Sequence, residues 1–242
     1  MIKIENVNIY GWEPAIRGMR NPLNSWEKSD SCECSVEEME YSKCLTSCTE
    51  SEIPEKCINC KGVYLGKNDL KLMQSLSKAG TDHSKFLRMI VVTMDITAPL
   101  YWWKEFDTYK VGTVANSCST MHRLTYKPFE ISDFSHEHLL NEMGVAVEDW
   151  QSEWLEDLYI TIERLNCARQ CFLDTNDKKY WWQMIQLLPS SYNQKRTIQL
   201  NYQVLKNMYF AQRNHELDCG VDFCKRIETL PYFKEICIEP ME

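Results

Sequence analysis

The chain has 242 residues, a formal net charge of −8 and a composition that is 44% hydrophobic and 12% aromatic. This composition is sufficient for a buried core and excludes a chain that is disordered over most of its length. The acidic balance argues against a nucleic acid polymer as partner, because phosphate neutralisation needs a basic surface and the Lys and Arg residues form no long run. A few local cations could still hold a small anionic ligand.

The sequence contains no segment typical of membrane insertion or secretion. No apolar stretch reaches the roughly 18 residues that a membrane-spanning helix requires. The amino-terminal residues also lack the basic and then apolar order of a secretion signal. We therefore expect a cytoplasmic protein without a membrane partner, in which the 12 cysteines are free thiols or metal ligands.

Composition divides the chain into three predicted regions. Residues 1–28 begin with a strand-like segment and continue into a site-lining loop or short helices. Residues 29–65 are rich in Ser, Glu and Cys and lack apolar periodicity, which indicates an insertion outside the main core. Residues 66–242 have the hydrophobic patterns of the main folded domain. The side chains of the first region that are suited to ligand binding are Arg17, Arg20 and Trp26.

The cysteines of the insertion occur in pairs. Cys44 with Cys48 and Cys57 with Cys60 could supply the four thiolates of a tetrahedral zinc site. The separation between the two pairs is shorter than in common zinc ribbons, and no histidine lies among them. Reduced free cysteines are therefore favoured, and structural zinc stays the alternative.

From Asn68 onward the hydrophobic pattern predicts a series of helices with one buried strand. Cys167 and Cys171 lie inside one of the predicted helices, where small thiols are expected to pack in the core. Trp102 and Trp103 are expected in the core or at an interface. The predicted elements are a helix from Asn68 to Gly80, a strand over 88–96, a helix over 99–110 and helices over about 147–173, 178–188, 194–212 and 221–229.

Residues 111–123, VGTVANSCSTMHR, concentrate polar chemistry behind the 99–110 helix. A loop here would direct the amide of Asn116, the hydroxyl of Ser119 and the guanidinium of Arg123 at one ligand. Guanidinium groups suit bidentate phosphate recognition, and hydroxyls complete such a shell. Spacing alone favours the alternative of a polar surface turn followed by a strand. No Rossmann, P-loop or nucleophile-elbow motif is present.

The order of these motifs resembles that of the flavin-dependent thymidylate synthases, the ThyX family. The resemblance covers roughly residues 66 to 230, and the cysteine-rich insertion has no counterpart in it. The matching residues are Gly80 and His83, the predicted strand, Ala98-Pro99, Thr108-Tyr109-Lys110, Asn116-Ser117-Cys118-Ser119, Leu188-Pro189, Asn201-Tyr202-Gln203, Asn207 and Arg213.

Several signature positions of that family differ here. The family's R-H-R is Thr108-Tyr109-Lys110, which removes two cationic or imidazole contacts to the flavin. Ser117 stands where the family has a glutamate, and Met121 stands where it has an arginine. Arg123 is then an out-of-register substitute for that arginine, and Gln203 replaces an arginine of the late motif.

The resemblance implies an α/β (α+β) fold with an antiparallel sheet flanked by helices and a helical C-terminal half. It implies a homotetramer that converts dUMP to dTMP by reductive methylation, with FAD as cofactor, NADPH as reductant and methylenetetrahydrofolate as carbon donor. Ser119 would be the catalytic residue, and no residue is assigned to a metal. The predicted nucleotide contacts are Asn116, Ser119, Arg123 and Arg213, and the predicted FAD contacts are His83, Lys110, Asn201, Gln203 and Asn207.

Two alternatives stay open beside this prediction. The first is a ThyX-like nucleotide-binding protein without synthase activity or with altered pyrimidine specificity, which the changed R-H-R motif favours. The second is a zinc-stabilised interaction protein that retains only the scaffold.

Overall fold

The computed structural model describes residues 2–33, 63–119, 124–140, 154–214 and 216–241. Over these ranges the chain is a mixed α/β protein with a four-stranded antiparallel sheet and helices, which confirms the predicted fold class. The helices are α1 (Trp12–Arg20), α2 (Lys67–Lys78), α3 (Leu100–Phe106), α4 (Trp154–Thr175), α5 (Lys178–Leu187), α6 (Tyr202–Gln212) and α7 (Asp218–Ile227). The strands are β1 (Lys3–Tyr10), β2 (Cys32–Glu33), β3 (Val63–Tyr64), β4 (Val91–Pro99), β5 (Val114–Ser117) and β6 (Asn193–Asn201).

Two compact units share the chain. Unit 1 consists of Met1–Glu5, Asp95–Thr108 and Ala115–Thr197, and unit 2 consists of Asn6–Met94, Tyr109–Val114 and Ile198–Glu242. The larger sheet has the strand order β1-β4-β6-β5, and β2 pairs with β3 in a separate antiparallel ribbon. Among the described helices, none is both long and apolar enough to cross a lipid bilayer.

The predicted order of a strand followed by a helix is confirmed by β4 and α3, but the strand covers Val91–Pro99 instead of 88–96. Alternate residues of β4 are at most 1% exposed, as the two-residue period of a half-covered strand requires. Helix α3 starts directly behind Pro99 and buries Trp102 and Trp103, which confirms their predicted place in the core. The helix ends at Phe106, earlier than predicted, so Thr108-Tyr109-Lys110 follows it instead of continuing it.

The predicted single helix over 194–212 is wrong. The structure has strand β6 followed by helix α6, and the break falls at Asn201. The side-chain oxygen of Asn201 accepts a hydrogen bond from the backbone N–H of Val204 at 3.1 Å, which is the N-cap contact that starts a helix. Upstream, Ile198 and Leu200 are buried in strand alternation. The apolar residues at the start of this segment therefore follow the two-residue period of a strand, whereas the prediction assigns them to the apolar face of a helix.

The prediction that Cys167 and Cys171 pack in the core is also wrong. Cys167 is exposed and Cys171 is half-buried. Both residues lie beside the buried stripe of α4, which contributes to the core of unit 1 at three- and four-residue steps. The members of that stripe are Leu158, Ile162, Leu165 and Ala168.

A buried ion pair in unit 2 fixes the segment that leads into the cysteine-rich region. Arg20 Nε donates to Asp69 Oδ1 at 2.7 Å, and the two side chains are 4% and 0% exposed. The other guanidinium nitrogens of Arg20 donate to the carbonyl oxygens of Ser25 and Lys28 at 3.1 and 3.0 Å. Arg20 thus has a structural role, and the hypothesis that it reaches a ligand stays a prediction. The cysteines of the predicted zinc site lie outside the described residues.

Candidate cofactor and nucleotide sites

In unit 2 a buried amide joins two segments that are predicted, from the family resemblance, to contact a flavin. The Oε1 atom of Gln203 accepts a hydrogen bond from Ser84 Oγ at 3.1 Å, and its Nε2 donates to Asn207 Oδ1 at 3.0 Å. Ser84 directly follows His83, and the backbone N–H groups of both residues donate to the carbonyl of Gly80 at 3.1 and 3.0 Å. The turn that carries His83 is therefore attached to the first turns of α6.

A second loop of unit 2 packs against the start of the same helix. Gly112 has φ of 80°, and a Cβ at this position would lie 3.2 Å from Asn201 Nδ2 and from a methyl group of Val204. Glycine is the residue that adopts this backbone conformation without strain. Lys110 is exposed two residues earlier in the loop. The structure thus collects the predicted FAD contacts around the N-terminal half of α6, and their roles stay predictions.

A cavity of about 750 Å³ opens beside His83. Its volume lies within the roughly 300–1,000 Å³ range of pockets that take small molecules and cofactors. The cavity is formed within unit 2 by α1 and the turns behind it, by α2 and by the segment that leads to β4. The apolar side chains that line it include Met19, Leu72, Leu76, Phe86 and Met89.

Half of the polar side chains of this cavity are cationic, namely the buried Arg20 and three lysines. Lys28, Lys71 and Lys85 line it and are exposed, and none of the three forms an ion pair with another described residue. His83 lies among them, and Asp82 is the one carboxylate of the lining apart from residues outside the described ranges. Sequence reasoning missed the three lysines, because they come from separate segments and no spacing connects them.

Ser119 lies in a smaller cavity of unit 1, of about 270 Å³. The two lysines of this cavity are already paired with carboxylates. Lys127 Nζ contacts Asp133 Oδ1 at 2.8 Å and Lys195 Nζ contacts Asp95 Oδ2 at 3.1 Å, and these hydrogen bonds raise the pKa of both lysines. Their charge is therefore offset within the protein. Over the described residues, no group of three or more His, Cys, Asp or Glu side chains could hold a metal ion.

An arginine that the sequence did not single out supports the Ser119 segment. The guanidinium of Arg196 lies 4.3 Å from the ring centroid of Trp103 and donates to Asp107 Oδ1 at 2.7 Å and to Gln194 Oε1 at 2.9 Å. Gln194 in turn donates Nε2 to the carbonyl oxygen of Cys118 at 2.9 Å. Because Cys118 precedes Ser119, this network fixes the backbone that presents the serine.

The remaining predicted nucleotide contacts lie in different settings. Residues 111–123 do not form the predicted loop throughout, because β5 occupies part of them, as in the alternative of a turn followed by a strand. Asn116 is exposed on β5, and Arg123 lies outside the described residues. Arg213 is the C-cap residue directly after α6 in unit 2, and its guanidinium carbon lies 5.0 Å from the ring centroid of Phe210.

No protein-family model and no curated protein sequence matches the chain. Among solved structures, it is similar to thymidylate synthase X (ThyX) from Helicobacter pylori with FAD and dUMP, at a TM-score of 0.61 and 14% identity over 100% of both chains. It is also similar to the UMP/dUMP methylase PolB from Streptomyces cacaoi bound with 5-Br UMP. That match has a TM-score of 0.58 and 14% identity, over 100% of this chain and 95% of the PolB chain. At this identity the likeness establishes a shared fold.

Proposed function

We propose that the protein is a divergent flavin-dependent nucleotide methylase that acts on a pyrimidine monophosphate of the dUMP type. The observation that carries this proposal is the position of His83, which lines the large cavity of unit 2 and whose turn is hydrogen-bonded through Ser84 to Gln203 of α6. The fold shared with a FAD- and dUMP-bound ThyX and with a UMP/dUMP methylase supports it. The proposed product is the 5-methylated nucleotide, which is dTMP when the substrate is dUMP.

The residues around the cavity fit FAD as the cofactor. FAD combines a large aromatic ring system with an anionic diphosphate, and the cavity combines an apolar lining with lysines that form no ion pair with another described residue. The predicted contacts that would hold it are His83, which lines this cavity, and Lys110, Asn201, Gln203 and Asn207, which lie outside its lining. When bound and reduced, the flavin supplies a hydride for the methylation, and we propose NADPH as its reductant and methylenetetrahydrofolate as the carbon donor.

The chain's own residues would orient the nucleotide and contribute polar contacts to it. Ser119 would present its hydroxyl to the nucleotide as the proposed catalytic residue, from a backbone held by Gln194. Asn116 would add an amide contact. Arg123 and Arg213 as phosphate contacts, the homotetramer and the cytoplasmic location are proposals that follow from the same resemblance.

The first test is the visible spectrum of the purified protein before and after addition of FAD. We expect flavin absorption that survives gel filtration. The protein is then incubated with dUMP or UMP, methylenetetrahydrofolate, FAD and NADPH, and mass spectrometry detects the 5-methyl nucleotide. Ser119→Ala should abolish product formation, whereas Ser190→Ala, an exposed serine of unit 1 outside the cavity lining, should leave it intact. A protein that stays colourless with added FAD would contradict the proposal.

One observation favours a second candidate, a nucleotide-binding protein without synthase activity. In the segment that replaces R-H-R, the hydroxyl of Thr108 donates a hydrogen bond to the carbonyl oxygen of Glu105 at 2.8 Å. This hydroxyl is therefore already engaged at the C-terminal end of α3. Lys110 is then the one cation of the segment that is available to a ligand. Nucleotide binding without product, in the presence of bound FAD and both co-substrates, would identify this second function.

A further inference from the structure

The described lysines of unit 2 fall into two groups, those whose ammonium group contacts another described side chain or carbonyl and those that form no ion pair within the described ranges. Lys225 and Lys234 contact carboxylates of Asp222 and Glu228 at 3.6 and 3.0 Å. Lys206 is buried and donates to the hydroxyl and carbonyl oxygens of Ser77 at 2.8 and 3.2 Å. Lys28, Lys71 and Lys85 belong to the second group, as Lys67 and Lys78 do, and they differ from those two because all three line one cavity.

An acidic protein has carboxylates available for such lysines. The chain has 35 acidic and 27 basic residues, whereas the described lining of this cavity has three lysines and one carboxylate, so its charge balance departs from that of the sequence. Like charges gathered at one rim repel one another, and an anion bound between them removes that repulsion. The distribution of charge therefore indicates an anionic ligand for this cavity.

The backbone positions of two of these lysines are fixed by the buried ion pair. The carbonyl of Lys28 accepts a hydrogen bond from Arg20 at 3.0 Å, and Asp69 anchors Arg20 to α2, the helix that carries Lys71. Lys85 belongs to the short helical turn that follows His83 and Ser84. Lysines on a fixed backbone lose less conformational freedom when they bind a ligand than lysines on a mobile loop do.

We propose that Lys28, Lys71 and Lys85 bind the diphosphate of a dinucleotide whose aromatic part packs on the apolar lining of the cavity. This inference rests on the proposed function, since FAD is the dinucleotide that function requires. In the family the R-H-R segment supplies positive charge, and this chain has Thr108-Tyr109-Lys110 instead. The three lysines would replace the missing positive charge. Ammonium groups are compact point charges on flexible stems, which suits a diphosphate whose exact position is set by the packing of the aromatic ring.

The test compares FAD with riboflavin, which has the same ring system and no phosphate. Binding to the full-length protein is followed by quenching of flavin fluorescence at low and high salt. The triple variant Lys28→Gln, Lys71→Gln, Lys85→Gln should bind FAD roughly tenfold or more weakly, because three exposed charges that each contribute modestly are removed together. Riboflavin affinity should change less than about twofold, and the salt dependence of FAD binding should become flatter.

The matched control is the triple variant Lys78→Gln, Lys225→Gln, Lys234→Gln, which removes the same charge from exposed positions of unit 2 outside the cavity lining. Equal losses of FAD affinity in both triple variants would overturn the inference. An unchanged FAD affinity of the Lys28, Lys71 and Lys85 triple variant would also overturn it. Either result would leave flavin binding itself, and the proposed function, intact.

Failure of the proposed function has a different signature. If the wild-type protein binds neither FAD nor riboflavin, the flavin proposal fails, and calorimetric titration with inorganic pyrophosphate then decides the role of the lysines. Pyrophosphate binding that the cavity triple variant loses and the control variant keeps would support a diphosphate site. Absence of pyrophosphate binding to the wild type would overturn it.

Discussion

Two arginine–aspartate pairs, one in each unit, have the same N–O distance of 2.7 Å and different surroundings. In unit 2 the side chains of Arg20 and Asp69 are 4% and 0% exposed. In unit 1 the side chains of Arg196 and Asp107 are 14% and 46% exposed. An ion pair that is shielded from water interacts more strongly and costs more to desolvate, so distance alone does not determine what each pair contributes.

The two pairs also differ in what they hold. The second carboxylate oxygen of Asp69 accepts from Ser29 Oγ, Ser31 Oγ and the backbone N–H of Asp30, at 2.8, 2.7 and 3.1 Å. All these partners belong to the segment that leads into β2. Arg196 instead lies on Trp103 and, through Gln194, supports the backbone before Ser119. The buried pair stabilises the fold, whereas the half-exposed pair positions a proposed functional residue.

The largest expected effect is on the buried pair. Arg20→Met should lower the free energy of unfolding by about 3–5 kcal/mol, because it leaves the Asp69 carboxylate buried without its cation. Urea denaturation followed by circular dichroism measures this loss. The control is Arg17→Met on the same helix, whose pair with Glu13 has side chains that are 62% and 66% exposed. Its effect should be within about 0.5 kcal/mol. Equal effects of both variants would contradict the distinction by burial.

The buried pair should also make stability depend on acidity. Burial by itself raises the pKa of Asp69, but hydrogen bonds from Ser31, Ser29, Arg20 and the Asp30 backbone outweigh it and lower the pKa below its ordinary value. A carboxyl with a lowered folded-state pKa stabilises the fold above its unfolded pKa of about 3.9, and that contribution is lost as the pH falls through the folded pKa. The stability difference between wild type and Asp69→Asn should therefore shrink below about pH 4. A difference that stays constant from pH 7 to pH 3 would refute this linkage.

Next in size is the effect of the half-exposed arginine. Arg196→Met should lower the free energy of unfolding by about 1–2 kcal/mol, since it removes a cation over Trp103, a partly exposed ion pair and the hydrogen bond to Gln194. Urea denaturation measures the loss. In the methylation assay the same variant should reduce product formation while FAD absorption is retained. A variant that loses stability without any change in turnover would contradict the positioning role.

Sequence patterns predicted the parts of this protein that depend on local order. The alternation in β4, the apolar stripe of α4 and the helix behind Asn68 each involve neighbours along the chain. The predicted FAD contacts also depend on order along the chain, because they come from the sequence of motifs that resembles the family. Lys28, Lys71 and Lys85 could not be connected, because the cavity brings together segments that are distant in sequence.

Arg196 was overlooked for a different reason. The prediction placed it inside a helix over 194–212, where Gln194 and Arg196 would point in different directions. In strand β6, residues two apart face the same side, so the two side chains meet at 2.9 Å. An error in the period of one segment therefore concealed the network that supports Ser119.

The smallest expected effect concerns the partner of Arg196. Asp107 is 46% exposed, so Asp107→Asn should cost less than about 1 kcal/mol, because water screens the charge and the amide oxygen can still accept the hydrogen bond from Arg196. Urea denaturation of the wild type, both single variants and the double variant gives the coupling between the two side chains. In about 1 M salt this coupling should fall towards zero, whereas the stability cost of Arg196→Met should persist, because packing on Trp103 is not screened by salt. A coupling energy that is unchanged in about 1 M salt would mean that this pair is shielded from water, like the buried pair of Arg20 and Asp69.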